Sequence, residues 1–551
     1  MASTNDTAIA LEKSAANHVE DTLGIGAIHE AKQATDDEHS QTLMQALREN
    51  RKAVMWSVLV SMSIVMEGYD TILMGNFFAL PAFRHKYGKD YGGDIGWQVS
   101  TPWQTGLNMA STVGCIFGGI LNGYCASKYG YCRVMMVALI FLTAFIFITF
   151  FASSAAVLLV GQILCGFSWG VFATIGPAYA SEVCPTNLRG YLTVYVNMCW
   201  AIGQLIASGV LYGLVKRLDQ WGYRIPFALQ WVWPVPLMVV CWFAPESPWW
   251  LVRKDRLDDA KRSIRRLGGS KTEDQINGQL AMMVHTIKIE AEVEAGTTYW
   301  ECFKGVDLRR TEVCCLTFVG QILSGSSFAY SPTYFFTQAG MDESHSFQLG
   351  VGCTGIAFVG TFLSWFLITR FGRRTLYVTG MGTLSGVLFL IGILSASAPH
   401  SNGAMWAQAG LCFCWLFTYS LTVGPIAYAI VSESSSIRLR PLTVCLARTA
   451  YQIINVVSQV LSPYFMNPTA WNAAGKTGFF WGVTALVAFV WAFFRLPEPK
   501  DRTYAELDIL FATKVSARKF ASTKVDVYAV RPSSSQEGLV TEKAEEIREQ
   551  N

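Results

Sequence analysis

Long apolar segments are the feature that most constrains how this chain can fold. A helix needs roughly 20 apolar residues to cross a bilayer, and twelve segments of suitable length and composition occur in the sequence. Only 15% of the residues are charged, whereas soluble domains have about 25%. The sequence therefore predicts an all-α membrane protein with twelve transmembrane helices. The predicted spans are 54–80, 105–124, 133–151, 156–180, 190–214, 226–243, 311–337, 349–369, 375–395, 405–431, 442–465 and 477–495.

Polar segments divide the chain into five predicted parts. The tails are rich in Ser, Thr, Glu, Gln and Lys, a composition typical of disorder. The first fifty residues contain no apolar core of the signal-peptide kind, so we expect the first span to act as the insertion signal. The predicted parts are a disordered cytosolic tail (1–53), a six-helix bundle (54–244), a cytosolic helical linker (245–310), a second six-helix bundle (311–496) and a cytosolic tail (497–551).

Positive charge predicts the orientation. With both chain ends in the cytosol, the internal loops contain twenty Lys and Arg residues and the external loops contain seven. Twelve of the twenty lie in the linker, whose length is at the limit of the positive-inside rule. Arg48, Arg51 and Lys52 flank the first span and favour the same orientation. We therefore expect both termini to be cytosolic.

Three short patterns recur in the two halves of the chain at offsets of 242, 251 and 252 residues. Each occurs at the cytosolic end of a predicted span, and the spacing within the second pattern is identical in both copies. A general preference of such loops for charged residues explains the composition but not the spacing. The chain is therefore predicted to contain a duplicated six-helix unit. The pairs are Lys128-Tyr129-Gly130 with Arg370-Phe371-Gly372, Ser181-Glu182 and Leu188-Arg189 with Ser432-Glu433 and Leu439-Arg440, and Pro245-Glu246 with Pro497-Glu498.

Composition and motifs exclude several functions. The net charge of +3 is too small to indicate a nucleic-acid partner. The sequence has no phosphate-binding GxxxxGK[ST] loop, no cluster of metal-ligating residues and no catalytic motif. Many of its fourteen cysteines lie in apolar runs and are interpreted as buried hydrophobic residues. We therefore expect neither enzymatic activity nor a cofactor or metal.

Four motifs resemble the sugar-porter family of the major facilitator superfamily. The resemblance covers about residues 54–510 and implies two pseudo-symmetric six-helix bundles with a substrate site between them. The motifs are Glu182-x-x-Pro185-x-x-x-Arg189-Gly190, Pro245-Glu246-Ser247-Pro248-Trp249-Trp250-Leu251, Arg370-Phe371-Gly372-Arg373-Arg374 and, more loosely, Pro497-Glu498-Pro499-Lys500-x-Arg502-Thr503.

Further segments resemble the fungal maltose permeases, which are α-glucoside:proton symporters. This resemblance implies import of maltose or a related oligosaccharide across the plasma membrane, and the sequence is compatible with a monomer. The first cytosolic loop departs from the family pattern, with Ser127 where an Asp is usual. The matching segments are Met66-Glu67-Gly68-Tyr69-Asp70-Thr71, Leu164-Cys165-Gly166, Ser181-Glu182-Val183-Cys184-Pro185, Trp200 with Gly203-Gln204, and Ala447-Arg448-x-Ala450-Tyr451.

Two carboxylates in the first span are the predicted proton-coupling groups. Glu67 and Asp70 are three residues apart and so project from one helix face. Ionisable residues at membrane depth are costly and mark functional sites. The resemblance places Asp70 at the proton-binding position. Gln162 occupies a position where members of the family carry Arg or Glu. Because a neutral amide cannot titrate, facilitated diffusion without proton coupling is an alternative. A structural role is the alternative for the two carboxylates.

Candidate sugar-binding residues come from the resemblance and from the pairing of amides with hydroxyl groups. The alternative for each is a bond that holds two helices together. The candidates are Asn197, Gln321, Asn455, Tyr428, Gln204, Ser327 and Gln452.

A second set of residues is predicted to form a cytosolic gate, whose salt bridges would hold the outward-open state. The alternative is a solvated basic cluster. These residues are Glu182, Arg189, Arg373, Arg374, Glu433 and Arg440.

Two other functions fit the same scaffold: a facilitator or exporter of a hydroxylated secondary metabolite, and a non-transporting sugar receptor. Receptors of this type carry long cytosolic tails, and the segment after residue 497 is short. The expected partners are a sugar or polar metabolite, a proton and the bilayer.

Overall fold

The computed structural model describes residues 43–523 apart from 93–95, 185, 270–271, 295–297, 327–331, 339, 399–400, 436–438, 501, 503 and 521. The predicted disordered tails lie largely outside these residues. For the start of the second tail the prediction of disorder is wrong, because the helix Tyr504–Ala512 packs there with Leu507, Leu510 and Phe511 buried. Within the described residues, eleven helical segments are long and apolar enough to cross a membrane. They correspond to eleven of the predicted spans.

The seventh predicted span is an interrupted helix. Its two pieces, Gly305–Leu323 and Pro332–Gln338, flank a segment outside the described residues. Its first piece carries Asp307, Arg309, Arg310 and Glu312, so it lacks the uniform apolarity of the other spans. Counted with this interrupted segment, the described residues contain twelve transmembrane segments, as predicted. In order, the spans are Arg51–Ser61 with Ser63–Phe77, Thr101–Tyr129, Tyr131–Phe150, Ala155–Val183, Thr186–Leu214, Trp221–Leu229 with Gln230–Val232 and Pro234–Phe243, Gly305–Leu323 with Pro332–Gln338, Glu343–Arg370, Arg373–Ser397, Asn402–Leu421 with Val423–Ser434, Arg440–Met466 and Thr477–Arg495.

Short elements distinguish the two ends of the bundle. One end, here called the hairpin face, carries a two-stranded antiparallel sheet in which Lys89 pairs with Gln98 and Asp90 with Trp97. The opposite end, here called the linker face, carries the segment between the sixth and seventh spans. The elements outside the spans are Leu43–Glu49, Pro81–Tyr87, Lys89–Asp90, Trp97–Gln98, Pro248–Arg253, Leu257–Leu267, Glu273–Glu294, Tyr299–Phe303, Ala474–Lys476, Tyr504–Ala512 and Ala517–Lys519.

The repeated Pro-Glu pairs cap equivalent helices in the two halves. The Glu246 carboxylate accepts hydrogen bonds from the backbone N–H groups of Tyr131 (2.9 Å) and Cys132 (3.2 Å), where the third span begins. Glu498 accepts from the N–H groups of Arg373 (2.8 Å) and Arg374 (3.1 Å), where the ninth span begins. A carboxylate at this position satisfies unpaired helix N–H groups and faces the positive end of the helix dipole. The repeat is therefore a structural device present in each half.

Glycines allow helix backbones to approach closely within the first half. A Cβ at Gly203 would lie 2.0 Å from the Val65 carbonyl oxygen, and one at Gly68 would lie 2.1 Å from the Trp200 carbonyl oxygen. The first and fifth spans thus contact through reciprocal glycines, in a small-residue interface typical of membrane helices. The second and fourth spans use a similar interface. It is formed by Gly114, Gly118, Gly166 and Gly170.

Contacts between the two halves close the hairpin face. Arg84 forms an ion pair with Glu343 at the start of the eighth span. The amide of Gln348 donates to the Tyr212 hydroxyl (2.8 Å), and the amide of Asn467 donates to the Val99 carbonyl (3.0 Å). Opening this face requires these bonds to break.

Loss of the Arg84–Glu343 pair is expected to favour opening at the hairpin face. For the sugar transport that the sequence predicts, we expect Arg84→Gln to lower the KM for sugar added on that side by about two- to threefold, because the binding-competent population rises. Sugar uptake kinetics in cells measure this. Arg217→Gln is the matched control. The Arg217 side chain forms an ion pair with Asp219, two residues further along the chain (3.1 Å), so its loss breaks no contact between the halves. An unchanged or higher KM for Arg84→Gln would contradict the expectation.

Candidate functional site

Two interrupted helices of the second half lie side by side near the middle of the bundle. The first piece of the seventh span ends at Leu323, and the tenth span is interrupted at Thr422. The Gln321 side chain joins the interruptions, since its amide nitrogen donates to the Gly424 carbonyl oxygen (2.8 Å). The Trp415 indole donates to the Ser324 carbonyl oxygen (3.1 Å). Interrupted helices with backbone groups directed into the bundle form the substrate sites of many transporters.

Asp70 is buried among neutral polar groups. The side-chain amide of Gln230 donates to its carboxylate (3.0 Å), and Gln162 and Trp169 of the fourth span lie beside it. Within the described residues, no Lys or Arg forms an ion pair with Asp70. An ionised carboxylate without a cation is costly in such surroundings. This site can therefore bind and release a proton without first breaking a salt bridge.

Arg448 of the eleventh span lies among three aromatic rings. Its guanidinium carbon is 5.4 Å from the ring centre of Phe318, 5.7 Å from that of Tyr428 and 5.5 Å from that of Tyr451. It also donates to the Tyr428 hydroxyl (3.3 Å). A cation within about 6 Å of a ring face is attracted by the ring. The three rings therefore hold a positive charge inside the bundle.

Glu67 connects this charge to the first half. Its carboxylate interacts electrostatically with Arg448 and with Asp70. Glu67 is half-buried, whereas Asp70 is fully buried. Opposite charges on the first and eleventh spans thus lie across the interface of the two halves. Any movement of one half against the other changes this interaction.

The other predicted sugar-binding residues differ in how their polar atoms are satisfied. The Gln204 nitrogen and the Gln452 oxygen are buried without a hydrogen-bond partner. Asn197 and Asn455 are half-buried on the fifth and eleventh spans. Ser327 lies outside the described residues. Unpartnered buried amides are rare in proteins, so Gln204 and Gln452 have free capacity for a ligand.

The predicted gate residues form bonds within each half. Glu182 accepts from Arg253 (2.8 Å), from the Tyr131 hydroxyl (3.0 Å) and from the Ser247 hydroxyl. These residues all belong to the first half or the start of the linker. The gate function itself stays a prediction.

The second half repeats this arrangement in part. Arg373 pairs with Glu433 (3.0 Å), and Arg374 donates to the Phe493 carbonyl (2.8 Å). The side chains of Arg189 and Arg440 lie outside the described residues.

The Glu246 carboxyl lies near the linker face. Burial raises its pKa, and its hydrogen bonds from backbone N–H groups oppose this increase.

Sequence reasoning did not assign roles to several residues of this site. Phe318, Gln230 and Trp169 were not singled out, because aromatic and amide side chains in apolar helices carry no distinctive pattern. Arg448 entered the sequence analysis only as part of a segment that resembles the maltose permeases. Its isolated charge in an apolar span was the signal that it mattered, and the aromatic surroundings were not foreseen.

Comparison with known proteins decides the family. The family model described as "Sugar (and other) transporter" matches residues 56–511. The chain belongs to this family. It is 41% identical to maltose permease MAL31 of Saccharomyces cerevisiae over 529 residues, which cover 95% of this chain and 86% of the relative. It is 42% identical to the general alpha-glucoside permease of the same yeast, with coverages of 92% and 82%. These relatives are permeases rather than enzymes, as predicted.

Solved structures show the same fold. The proton:xylose symporter XylE bound to 6-bromo-6-deoxy-D-glucose matches with a TM-score of 0.67 and 18% identity, covering 84% of this chain and all of that one. XylE from E. coli in a partially occluded inward-open conformation matches with a TM-score of 0.65 and 16% identity, covering 82% of this chain and all of that one. The chain is thus a multi-span membrane transporter with the fold of the major facilitator superfamily, as predicted.

Proposed function

We propose that this protein imports an α-glucoside, such as maltose, together with a proton by alternating access. The observation that carries the proposal is the buried Asp70, whose carboxylate accepts from the neutral amide of Gln230, one helical turn from Glu67, whose carboxylate interacts electrostatically with Arg448 of the other half. The names of the relatives, which are maltose and alpha-glucoside permeases, supply the substrate class.

Asp70 is the proposed proton-binding group. When the hairpin face opens, water reaches the site and the carboxylate takes up a proton. In the closed site the neutral acid is retained by the Gln230 amide, because an unpaired carboxylate there would cost several kcal/mol. When the linker face opens, water again reaches the site and the proton leaves. Neutralisation of Asp70 thus permits the loaded transporter to change orientation.

The sugar is proposed to bind between Tyr428 and the amides of both halves. Tyr428 is 40% exposed, so part of its side chain is available to a pyranose. Gln204 and Gln452 supply an unpartnered donor and an unpartnered acceptor. Asn197 and Asn455 provide further amides, while Gln321 positions the interrupted tenth span.

We infer that the linker face is cytosolic and that the protein resides in the plasma membrane. The linker face carries the helix Leu257–Leu267 with its basic residues, and positive charge favours the cytosolic side. The hairpin face is then the side from which sugar enters.

The Gln162 side chain favours a second candidate function, facilitated diffusion. It lies beside Asp70, where a neutral amide provides no charge to titrate or to pair. In this alternative the sugar equilibrates without a proton, and Asp70 is a structural residue.

Uptake of labelled maltose into yeast that lacks its own sugar transporters tests the proposal. We expect uptake above the empty-vector level and its collapse when a protonophore is added. Sucrose, glucose and cellobiose, measured in parallel, give the selectivity. Uptake that resists the protonophore and stops at equilibrium supports the facilitator. No uptake of any of these sugars, with the protein detected at the cell surface, excludes an α-glucoside transporter.

Substitution of Arg448 is expected to impair sugar transport even when the charge is kept. For Arg448→Lys we expect a reduction in kcat/KM of about tenfold, because lysine cannot present a planar guanidinium to three rings. Maltose uptake at a series of concentrations measures this. The control is Arg495→Lys, since Arg495 pairs with Glu312 at the end of the twelfth span, away from the site. Equal losses in the two variants would remove the special role of Arg448.

A further inference from the structure

A cavity lies at the linker face, away from the site between the halves. It has a volume of about 350 Å³ and is formed by the second and fourth spans, the start of the third span and the first helix of the linker with the residue that follows it. Ligand pockets range from roughly 300 to 1,000 Å³, so this cavity fits a compact ligand. Six of its residues matter here: Asn122, Thr174, Tyr131, Trp250, Arg253 and Lys254.

A buried amide oxygen in this cavity has no partner. Asn122 is 5% exposed, and its side-chain nitrogen donates to the Thr174 hydroxyl oxygen (2.7 Å). The Thr174 hydroxyl hydrogen is already directed to the Gly170 and Val171 carbonyls (2.9 Å each), which fixes the orientation of the amide. The Asn122 oxygen is therefore left buried as an unpaired acceptor. Such a group requires a donor, such as a ligand hydroxyl.

Positive charge lies on the linker side of the same cavity. Lys254 is exposed, and within the described residues its ammonium has no ion-pair partner. Arg253 is 43% exposed while it binds Glu182. The Trp250 ring is held in place because its N–H donates to the Ser127 carbonyl (3.0 Å). The cavity thus combines cations for an anionic group with an acceptor for a hydroxyl.

The second half does not repeat this cavity chemistry. The repeat offset of 242 residues places Ser364 at the position equivalent to Asn122. Ser364 is fully buried, and its hydroxyl donates to the Thr361 carbonyl (2.7 Å). Its hydrogen-bonding demand is met within its own helix. A general need to hold helices together would act on both halves, so the unpaired acceptor belongs to a feature of the first half alone.

We propose that this cavity binds the phosphate ester of a polyol at the linker face. Lys254 and Arg253 bind the phosphate, and the Asn122 oxygen accepts a hydrogen bond from a ligand hydroxyl. This chemistry is shared by a soluble sugar phosphate and by the headgroup of a phosphorylated inositol lipid. The site does not depend on which sugar the protein transports.

Binding to the purified full-length protein in lipid nanodiscs tests the proposal, with glucose 6-phosphate as the probe. Quenching of tryptophan fluorescence and calorimetry are the readouts. We expect saturable binding of glucose 6-phosphate that exceeds that of glucose and of inorganic phosphate. Lys254→Gln should weaken it by about five- to tenfold, as expected for loss of a charge-assisted contact. Asn122→Ala should weaken glucose 6-phosphate binding but leave the weaker binding of inorganic phosphate unchanged.

Arg262→Gln is the matched control: Arg262 is 74% exposed on the next linker helix and is not part of the cavity. Nanodiscs that contain a phosphorylated inositol lipid provide the second arm. If binding is detected only in these nanodiscs and is lost in Lys254→Gln, the ligand is the lipid headgroup and not a soluble sugar phosphate. The proposal is overturned if neither probe binds, if glucose binds as well as its phosphate, or if all three variants lose binding equally. Failure of sugar transport would leave this binding result unaffected, so the two proposals fail separately.

Discussion

Asp70→Asn is expected to abolish sugar accumulation while leaving equilibration intact. Asparagine retains the size and the hydrogen bond to Gln230 but cannot carry a proton. One proton crossing 100 mV supplies about 2.3 kcal/mol, which corresponds to roughly a 50-fold sugar gradient at 1.4 kcal/mol per tenfold. We expect this gradient in the wild-type protein and a ratio of about one in the variant. Internal and external labelled maltose measured at steady state give the ratio.

The control for this substitution is Asp90→Asn. Asp90 lies in the exposed hairpin and caps the turn there, since its carboxylate accepts from the Gly92 N–H (2.9 Å). The Asp90→Asn variant should accumulate sugar like the wild type. Exchange of internal for external maltose should persist in Asp70→Asn, which separates lost coupling from misfolding. Accumulation by Asp70→Asn at wild-type levels would mean that another group carries the proton.

Gly203→Leu is expected to prevent formation of the folded protein. A Cβ at this position would lie 2.0 Å from the Val65 carbonyl oxygen and 2.7 Å from the Tyr69 nitrogen. Both are backbone atoms, so the first and fifth spans would have to separate. Overpacking commonly costs about 1–3 kcal/mol, and this backbone overlap is more severe. Because native proteins are stable by only about 5–15 kcal/mol, we expect little or no monodisperse protein in detergent.

Gly209→Leu is the matched control on the same helix. A Cβ at Gly209 meets no atom within 4 Å, so the same side chain is accommodated there. Size-exclusion profiles and thermal unfolding of the two variants make the comparison. If Gly203→Leu elutes and unfolds like Gly209→Leu, the close approach of the first and fifth spans in the described structure is wrong.

The twelve spans could be predicted because each needs a long apolar segment, a requirement that the bilayer imposes on any sequence. The duplication was visible for a similar reason: Glu246 and Glu498 cap equivalent helices, and this role fixes their spacing to the helix ends. The interruption of the tenth span at Thr422 was not predicted, because hydropathy does not distinguish a continuous helix from one broken inside a protein interior.

The candidate site was predictable only in part. Glu67, Asp70 and Arg448 stand out because charge in an apolar span is costly. Their arrangement depends on how distant helices pack, and sequence spacing does not determine that. The Gln321 amide illustrates the limit: it was predicted to bind sugar, and in the structure it donates to the Gly424 backbone carbonyl in the second piece of the tenth span. Its sugar-binding role stays a prediction.

The central claim, that sugar and proton move together through the site of Asp70, is tested most directly in proteoliposomes. The purified protein is reconstituted with a pH-sensitive dye inside, and maltose is added outside without an imposed gradient. The account predicts acidification of the interior that depends on maltose and is absent in Asp70→Asn. Entry of labelled maltose without any pH change in the wild-type protein would contradict it and would identify the protein as a facilitator.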